Sequence, residues 1–442
     1  MANDDIKETK AGKASAVSQS TLPSVGSENE LDSRSGTSSD DDGTPKSQQT
    51  PLKGQSPHHV EQNVDPNVWY IHGNSYDLSQ FVAKHPGGQL AILSGKGRDC
   101  TALFESYHPW NDKHRKVLKA YGAAPPPADP FYEELKEGIR KKFPGGCGST
   151  KMPLKSKLYL AASWCLMIWL FFVVRTVPSC AVAGALMAIV GTRMAHEGAH
   201  FQVSTIEWVN RLSQFLGYFL TGPSMAWLYR HTISHHAHTN QEHDVDVEYV
   251  WIMDKFPGWM KILGLPMVPV AAMFEIGAKF LFVDLLVTKS VGGNLIVDRT
   301  LGFTIPEVIV WLSVHWFFGP SWWCYLTMAW VAGAIFVPMS QIAHLIVFPD
   351  HVEYDSWAKM QIAESVDFAA DSDFWFHMAF GLTTQVEHHL FPGIGHHCYR
   401  ECREVVREVC KKNNVTYYDV TAKKALGALW HRIIDGAPLP LA

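Results

Sequence analysis

Three short strings gather histidines into patterns that can hold metal. In "MAHEGAH", His196 and His200 stand four apart, on one face of a helix, where two imidazoles can grip one edge of an ion. In "RHTISHHAH", His231 and His235 repeat that spacing and His236 adds a third ring; in "QVEHHLF", Gln385, His388 and His389 fall at i, i+3 and i+4. His344, in "SQIAHL", ends an apolar run and is read as directed to the same place. The first string alone satisfies H-E-x-x-H, the helical zinc-protease pattern, in which Glu197 would be the general base; outside that chemistry Glu197 is expected only to hydrogen-bond a ligand histidine. One zinc needs three protein ligands and a water. Eight histidines and a glutamine exceed that need and argue for two metals. Nitrogen ligation suits iron, and two irons facing an apolar slot can activate O2 to attack an unactivated C–H bond. The chemistry read here is hydrogen removal from an alkyl chain, since no protein acid or base deprotonates a methylene.

A second arrangement lies upstream. His85, in "HPGG", and His108, in "FESYHP", stand on separate elements of a small apolar-walled segment. Such a pair can bind a haem iron from both faces, leaving no open coordination position and hence electron transfer rather than oxygen binding. With Trp69, Tyr76-Asp77, Phe81, "GRDCT" and Phe104, the segment resembles a cytochrome b5 domain along its whole length, Cys100 standing where that family usually has alanine.

These residues need elements to position them. Residues 1–62 are rich in Ser, Asp, Thr, Gly, Lys and Gln without apolar period and are expected to be a disordered tail; "MANDDIKETK" has no apolar h-region, so no cleaved signal peptide is expected. Residues 63–123 read as the small α+β haem domain. "PPPADP" opens a linker, 124–156, whose "FYEELKEGIRKKF" is expected to form a charged amphipathic helix approaching the membrane. Residues 157–442 read as an all-α membrane domain of four transmembrane helices in two hairpins. Segments 158–174 and 180–192 form the first hairpin, and 308–349, free of Asp, Glu, Lys and Arg, forms the second, turning at Gly319-Pro320. Lys141, Lys142, Lys151, Lys155 and Lys157 before the first span, and Arg193 closing the second, place the N-terminus and the histidine strings in the cytosol. Apolar stretches 212–229, broken at Gly222-Pro223, and 262–274, too short to cross, are expected along the interface.

The remaining features exclude or wait. A net charge of −5 with scattered Lys and Arg gives no nucleic-acid surface. Eight cysteines without a C-x-x-C pair indicate neither a disulfide scaffold nor a cysteine zinc site. "HDVDVEYV" (243–250) reads as a solvated loop. His315 reads as a satisfied core or lumen-end residue, and His238, His243, His396 and His397 as surface groups or groups behind the ligands.

H-x3-H, H-x3-HH and Q-x2-HH across two hairpins behind a cytochrome b5-like domain strongly resemble the front-end fatty acyl desaturases, over residues 63 to about 420. Gln385, where other membrane desaturases have histidine, is similar to the front-end group in particular. The resemblance implies two irons in a cytosolic histidine-rich cap, held by His196, His200, His231, His235, His236, His344, Gln385, His388 and His389. Ser340, four before His344, replaces an asparagine of the related acyl-CoA desaturases. It also implies haem b on His85 and His108, O2 as co-substrate, and electrons from NADH through a cytochrome b5 reductase. The implied enzyme sits in the endoplasmic-reticulum membrane and places a cis double bond between an existing one and the carboxyl end of a polyunsaturated acyl chain, CoA- or phospholipid-linked. Δ4, Δ5, Δ6 and Δ8 positions stay open. So does a sphingolipid long-chain-base desaturase, which shares the fusion and the glutamine; an intramembrane zinc metalloprotease would leave the haem domain and two histidine strings unused.

Overall fold

The computed structural model describes residues 65–241, 244–246, 254–291, 294–296, 298–347 and 354–436; the expected tail lies outside them. Strands β1 (Trp69–Ile71) and β2 (Asn74–Tyr76) pair antiparallel, Trp69 opposite Tyr76. His72 and Gly73 turn the hairpin with φ of 51° and 75°, the left-handed pair that a two-residue loop needs. Strand alternation sends Trp69, Ile71 and Tyr76 into a small core with Val82, Leu93, Cys100 and Leu118. Helices α1 (Gln89–Leu93), α2 (Thr101–Ser106) and α3 (Lys113–Leu118) complete this unit.

Helix α4 (Pro130–Lys142) starts where Asp129 caps the Phe131 amide and Pro130 sets the first turn, and it ends on Arg140, Lys141 and Lys142, as the helix dipole favours. Its apolar face, Phe131, Tyr132, Leu135 and Ile139, does not lie against a membrane. It packs on Tyr399, Cys402 and Val406 of the later helix Tyr399–Lys412, because the stripe matches a protein surface of the same period.

Three helices are long and apolar enough to cross a membrane: α5 (Leu154–Val174), α6 (Val177–Ala199) and, further on, Trp322–Leu345. Thr176 and Ser179 form a reciprocal capping box at the α5–α6 turn. Helix α7 (Glu207–Gly217) exposes Trp208 and Leu212 and buries Asn210 and Gln214. Gly222-Pro223 then breaks the chain before α8 (residues 224–238), so the stretch 212–229 does not form one crossing helix.

The stretch 262–274 behaves differently from its expectation. A short helix, Gly258–Gly264, is followed by α9 (residues 268–288), which runs on through Glu275, Lys279 and Asp284 and packs along Trp322–Leu345. Those three charges interrupt the apolar composition without breaking the helix. Helix α10 (Asp298–Phe318) contains the apolar stretch Thr304–Phe318, and α11 is Trp322–Leu345. Among the described residues, then, length and composition give three spanning helices and one shorter apolar helix.

Short helices α12 (Trp357–Ala363) and α13 (Gln385–Leu390) precede α14 (Tyr399–Lys412) and α15 (Ala422–Asp435). The second part of the chain is helical apart from two small strand pairs. β3 (Ser290–Val291) pairs antiparallel with β4 (Asn294–Leu295), and β5 (Asp367–Phe368) pairs parallel with β6 (Asp419–Val420). The latter pair ties the C-terminal region to the segment that carries α13. All eight cysteines are free.

Candidate metal centres

Helix α6 brings His196 and His200 to its last turns just after a π-helical segment, Met187–Gly191. A second π segment, Leu228–His235, widens α8 so that His231 and His235 lie nearly parallel, 5.1 Å between ring centroids. His344 ends α11, and α13 presents Gln385, His388 and His389. The Asp367 carboxylate accepts from the Val386 amide at 3.1 Å and fixes the start of α13. All nine residues singled out from the sequence converge, each no more than 4 % exposed.

They divide into two groups. His196, His200, His231 and His388 offer ring nitrogens all within 4.8 Å of one another, and His235, His344 and His389 do the same. Gln385 joins the second group, its amide nitrogen 2.9 Å from His344 Nε2 and 3.3 Å from His389 Nε2. His236 stands between them, its ring 4.4 Å from His200 and 4.3 Å from His389.

A layer behind the rings orients them. His235 Nδ1 meets Asp244 at 2.8 Å, His389 Nδ1 meets Gln361 Oε1 at 2.7 Å, and His344 Nδ1 meets the Glu364 carbonyl at 3.0 Å. In the first group, His231 Nδ1 meets Asp246 at 3.1 Å, while His388 and His200 meet the hydroxyls of Tyr399 and Tyr107 at 3.2 and 2.6 Å. The expectation of a solvated loop at 243–250 is overturned for Asp244 and Asp246, which are held inward by their histidines; His243 and 247–250 lie outside the described residues.

The geometry suits a cation. The Nδ1 atoms of His344 and His389 meet carbonyl oxygens, so both Nε2 atoms present lone pairs, and these face each other at 3.2 Å. A positive ion between them relieves that repulsion. His344 Nε2 also lies 3.2 Å from His235 Nε2; burial lowers the His235 pKa but the Asp244 carboxylate outweighs it, so there a proton can stand where an ion would. The Gln385 carbonyl oxygen is buried without a partner, and a half-turn of the amide aims it at the same point. In the first group, His200 Nε2 and His388 Nε2 are likewise buried without partners, a cost that metal ligation removes. Burial, and after it the neighbouring imidazoles, pushes His200, His231, His236, His388 and His389 well below the usual histidine range, so these rings are neutral, as ligation requires. Neutral imidazoles with one amide oxygen fit iron.

His396, read as a surface group or a group behind the ligands, is the latter: it is buried with its ring 5.1 Å from His196, although nothing in the spacing of "GIGHHC" ties it to the strings. Glu197 hydrogen-bonds none of the nine among the described residues: its carboxylate lies 3.4 Å from Arg193 and from His396. His315 is a satisfied residue, between the Tyr325 hydroxyl at 2.7 Å and the Phe219 carbonyl at 3.0 Å. One turn before His196, a small apolar cavity of about 10 Å³ lies between α6, α9 and α11, lined by Met187, Thr192, Tyr218, Met273, Ala332 and Phe336.

The haem-type pair is also assembled. His85 and His108 have ring centroids 6.1 Å apart, and their Nδ1 atoms meet the carbonyls of Gly88 at 3.1 Å and Phe104 at 2.7 Å, leaving both Nε2 atoms as lone-pair donors. Two metal–imidazole bonds of about 2.0 Å on opposite sides of an ion place the centroids roughly 6 Å apart, so the pair fits a six-coordinate haem iron. Gly88, at φ 90°, adopts a backbone conformation that a side chain would strain, and it faces the Glu207 carboxylate of α7.

Comparison with known proteins agrees with these sites. The model of the family "Fatty acid desaturase" matches residues 156–421, and that of the "Cytochrome b5-like Heme/Steroid binding domain" matches residues 57–124. Among curated relatives, Delta(5) fatty acid desaturase A of Dictyostelium discoideum is 26% identical over 410 residues, covering 81% of this chain and 88% of its own. Delta(8)-fatty-acid desaturase 2 of Arabidopsis thaliana is 27% identical over 406 residues, 81% and 87% of the two chains. Acyl-lipid omega-13 desaturase of Chlamydomonas reinhardtii is 24% identical over 438 residues, 80% and 90%.

Proposed function

From the premise that this chain belongs to the fatty acid desaturase family and carries a fused cytochrome b5-like domain, we propose that it is a front-end desaturase of polyunsaturated acyl chains. The observation that carries the reading is the convergence of nine buried ligand-type side chains on two centres. His196, His200, His231 and His388 would hold one iron, and His235, His344, His389 and Gln385 the other, with His236 between. Iron bound there supplies O2 activation and the removal of two hydrogens from adjacent methylenes, with water as the other product.

The chain's own residues do the rest. Asp244, Asp246, Gln361 and the Glu364 carbonyl hold imidazole tautomers so that Nε2 faces inward. The apolar side chains around Thr192 and Tyr218 would have to part to receive an acyl chain, since the cavity between them measures about 10 Å³. His85 and His108 would hold haem b, reduced from NADH through a cytochrome b5 reductase. Residues 1–62 would form a tail, 63–123 the haem domain, 124–156 the linker and 157–442 the desaturase domain, with four crossings of the endoplasmic-reticulum membrane and the histidines on the cytosolic side.

The test is expression in yeast membranes with polyunsaturated C18, C20 and C22 acids fed singly and products analysed by gas chromatography with mass spectrometry. A new double bond on the carboxyl side of an existing one is the expected result and fixes the Δ position. No new fatty acid from a haem- and iron-loaded enzyme, with new unsaturation in long-chain bases instead, would replace the acyl substrate by a sphingolipid.

A further inference from the structure

The residue next to the haem ligand touches a ligand of the metal centre. Tyr107 precedes His108, and its hydroxyl oxygen lies 2.6 Å from His200 Nδ1. The two rings are nearly parallel, 14° between planes and 6.3 Å between centroids. With His200 Nε2 aimed into the first histidine group, His200 Nδ1–H donates and the Tyr107 oxygen accepts. Every other hydrogen-bond partner found behind the ligand rings, namely Thr239, Asp244, Asp246, Gln361, Glu364 and Tyr399, lies far along the chain from the haem domain. Among the described residues, Tyr107 is the one such partner that the haem domain supplies.

Independent contacts seat the haem domain at this position. The Glu207 carboxylate accepts from the Leu90 amide at 3.0 Å, five residues beyond His85, and Leu90 packs into the core of the membrane domain. The Arg98 guanidinium lies over the ring of Tyr229, 5.3 Å from its centroid and two residues before His231. The haem domain is thus pinned beside elements that carry two of the histidine strings. From the His108 backbone, the route to His200 is covalent through the Tyr107 side chain except for one hydrogen bond.

We propose that Tyr107 is a positioning residue that orients the His200 ring and completes the bonded path by which electrons leave the haem domain for the first histidine group. This rests on the reading given under Proposed function. In each transfer, a ferrous haem iron is oxidised to ferric while a ferric iron of the centre is reduced to ferrous; no bond is made or broken and the tyrosine keeps its proton. Two such transfers, supplied originally by NADH, reduce the centre once.

The experiment uses the full-length protein, loaded with haem and iron, as wild type, Tyr107→Phe and Glu207→Ala. Each is given one reducing equivalent per haem under anaerobic conditions, and the decay of the ferrous haem absorbance is followed by stopped flow against the diferric centre. Tyr107→Phe is expected to slow the decay by about tenfold or more, with haem spectrum, haem midpoint potential and iron content unchanged. Glu207→Ala, which loosens the seat without touching His200, should slow it by a smaller factor. Excess dithionite, which reduces the iron directly, should bring the centre of Tyr107→Phe to the wild-type extent of reduction by Mössbauer spectroscopy. A wild-type rate in Tyr107→Phe overturns the proposal, as does a slower rate fully accounted for by lost iron. If the wild-type haem passes no electron to the iron, the functional reading itself fails.

Discussion

The two halves of the candidate centre are built from the same ring but held differently. Behind His235, His344 and His389 stand a carboxylate and two carbonyl oxygens, all obligate acceptors, which lock each ring in one tautomer. In the first half the Asp246 carboxylate stands behind His231, but behind His200 and His388 stand two phenols, which can donate or accept, and His196 Nδ1 has no hydrogen-bond partner. The second half is therefore preorganised throughout by groups of its own domain, while two rings of the first half depend on adjustable hydroxyls, one of them from the haem domain. The rigid half reads as a fixed anchor and the adjustable half as the side that receives electrons.

Substitutions can break this comparison or sharpen it. His388→Ala removes a ligand outright and should reduce product to background while sparing the haem spectrum, checked by product analysis beside the Soret band. Asp244→Asn keeps an acceptor but loses the charge behind His235; iron affinity should fall about 10- to 100-fold, read by chelator competition. Gly217→Ala adds a Cβ that collides with the backbone at Ala195 on α6, so it should cost about 1–3 kcal/mol and deplete iron from the first half before the second, visible in thermal unfolding and Mössbauer spectra. Tyr399→Phe should weaken iron binding by less than Asp244→Asn does; an equal loss would erase the distinction between the halves.

The smallest effect concerns the joint between the haem domain and α4. Glu105 is buried, which opposes its charge, but His114, His72, Lys136 and Arg115 outweigh burial and hold its carboxyl well below the usual range. A depressed carboxyl stabilises the fold fully above the unfolded value of about 4.3 and loses that stabilisation as pH falls towards the folded value. Glu105→Gln should therefore retain haem less well than wild type at pH 6, the two converging as the medium is acidified. Haem release followed against pH checks the sign.

What the sequence disclosed follows the physics of local spacing. The candidate ligands of the three strings lie mostly at i, i+3 and i+4, so helical periodicity places them on common faces; His344 belongs to no such set and joins them only through the tertiary fold. The partners behind them do not repeat with any period: Gln361 and Tyr399 come from other helices, Tyr107 from another domain and the Glu364 contact from a backbone carbonyl that no side-chain pattern marks. Asp244 and Asp246 were visible as charges, but only the tertiary course of their loop turns them inward. Helix α9 stayed hidden because Glu275, Lys279 and Asp284 break the apolar run that a sequence reading follows, and the amphipathic period of α4 was legible while its partner surface on α14 was not.

The most direct test of the centre is a metal count on the purified full-length protein: total iron and zinc by plasma mass spectrometry, and haem by pyridine haemochrome, on one sample. The two-centre account predicts two irons beyond the haem iron for each chain, with negligible zinc. A single iron beyond haem, or zinc in place of iron, would contradict it.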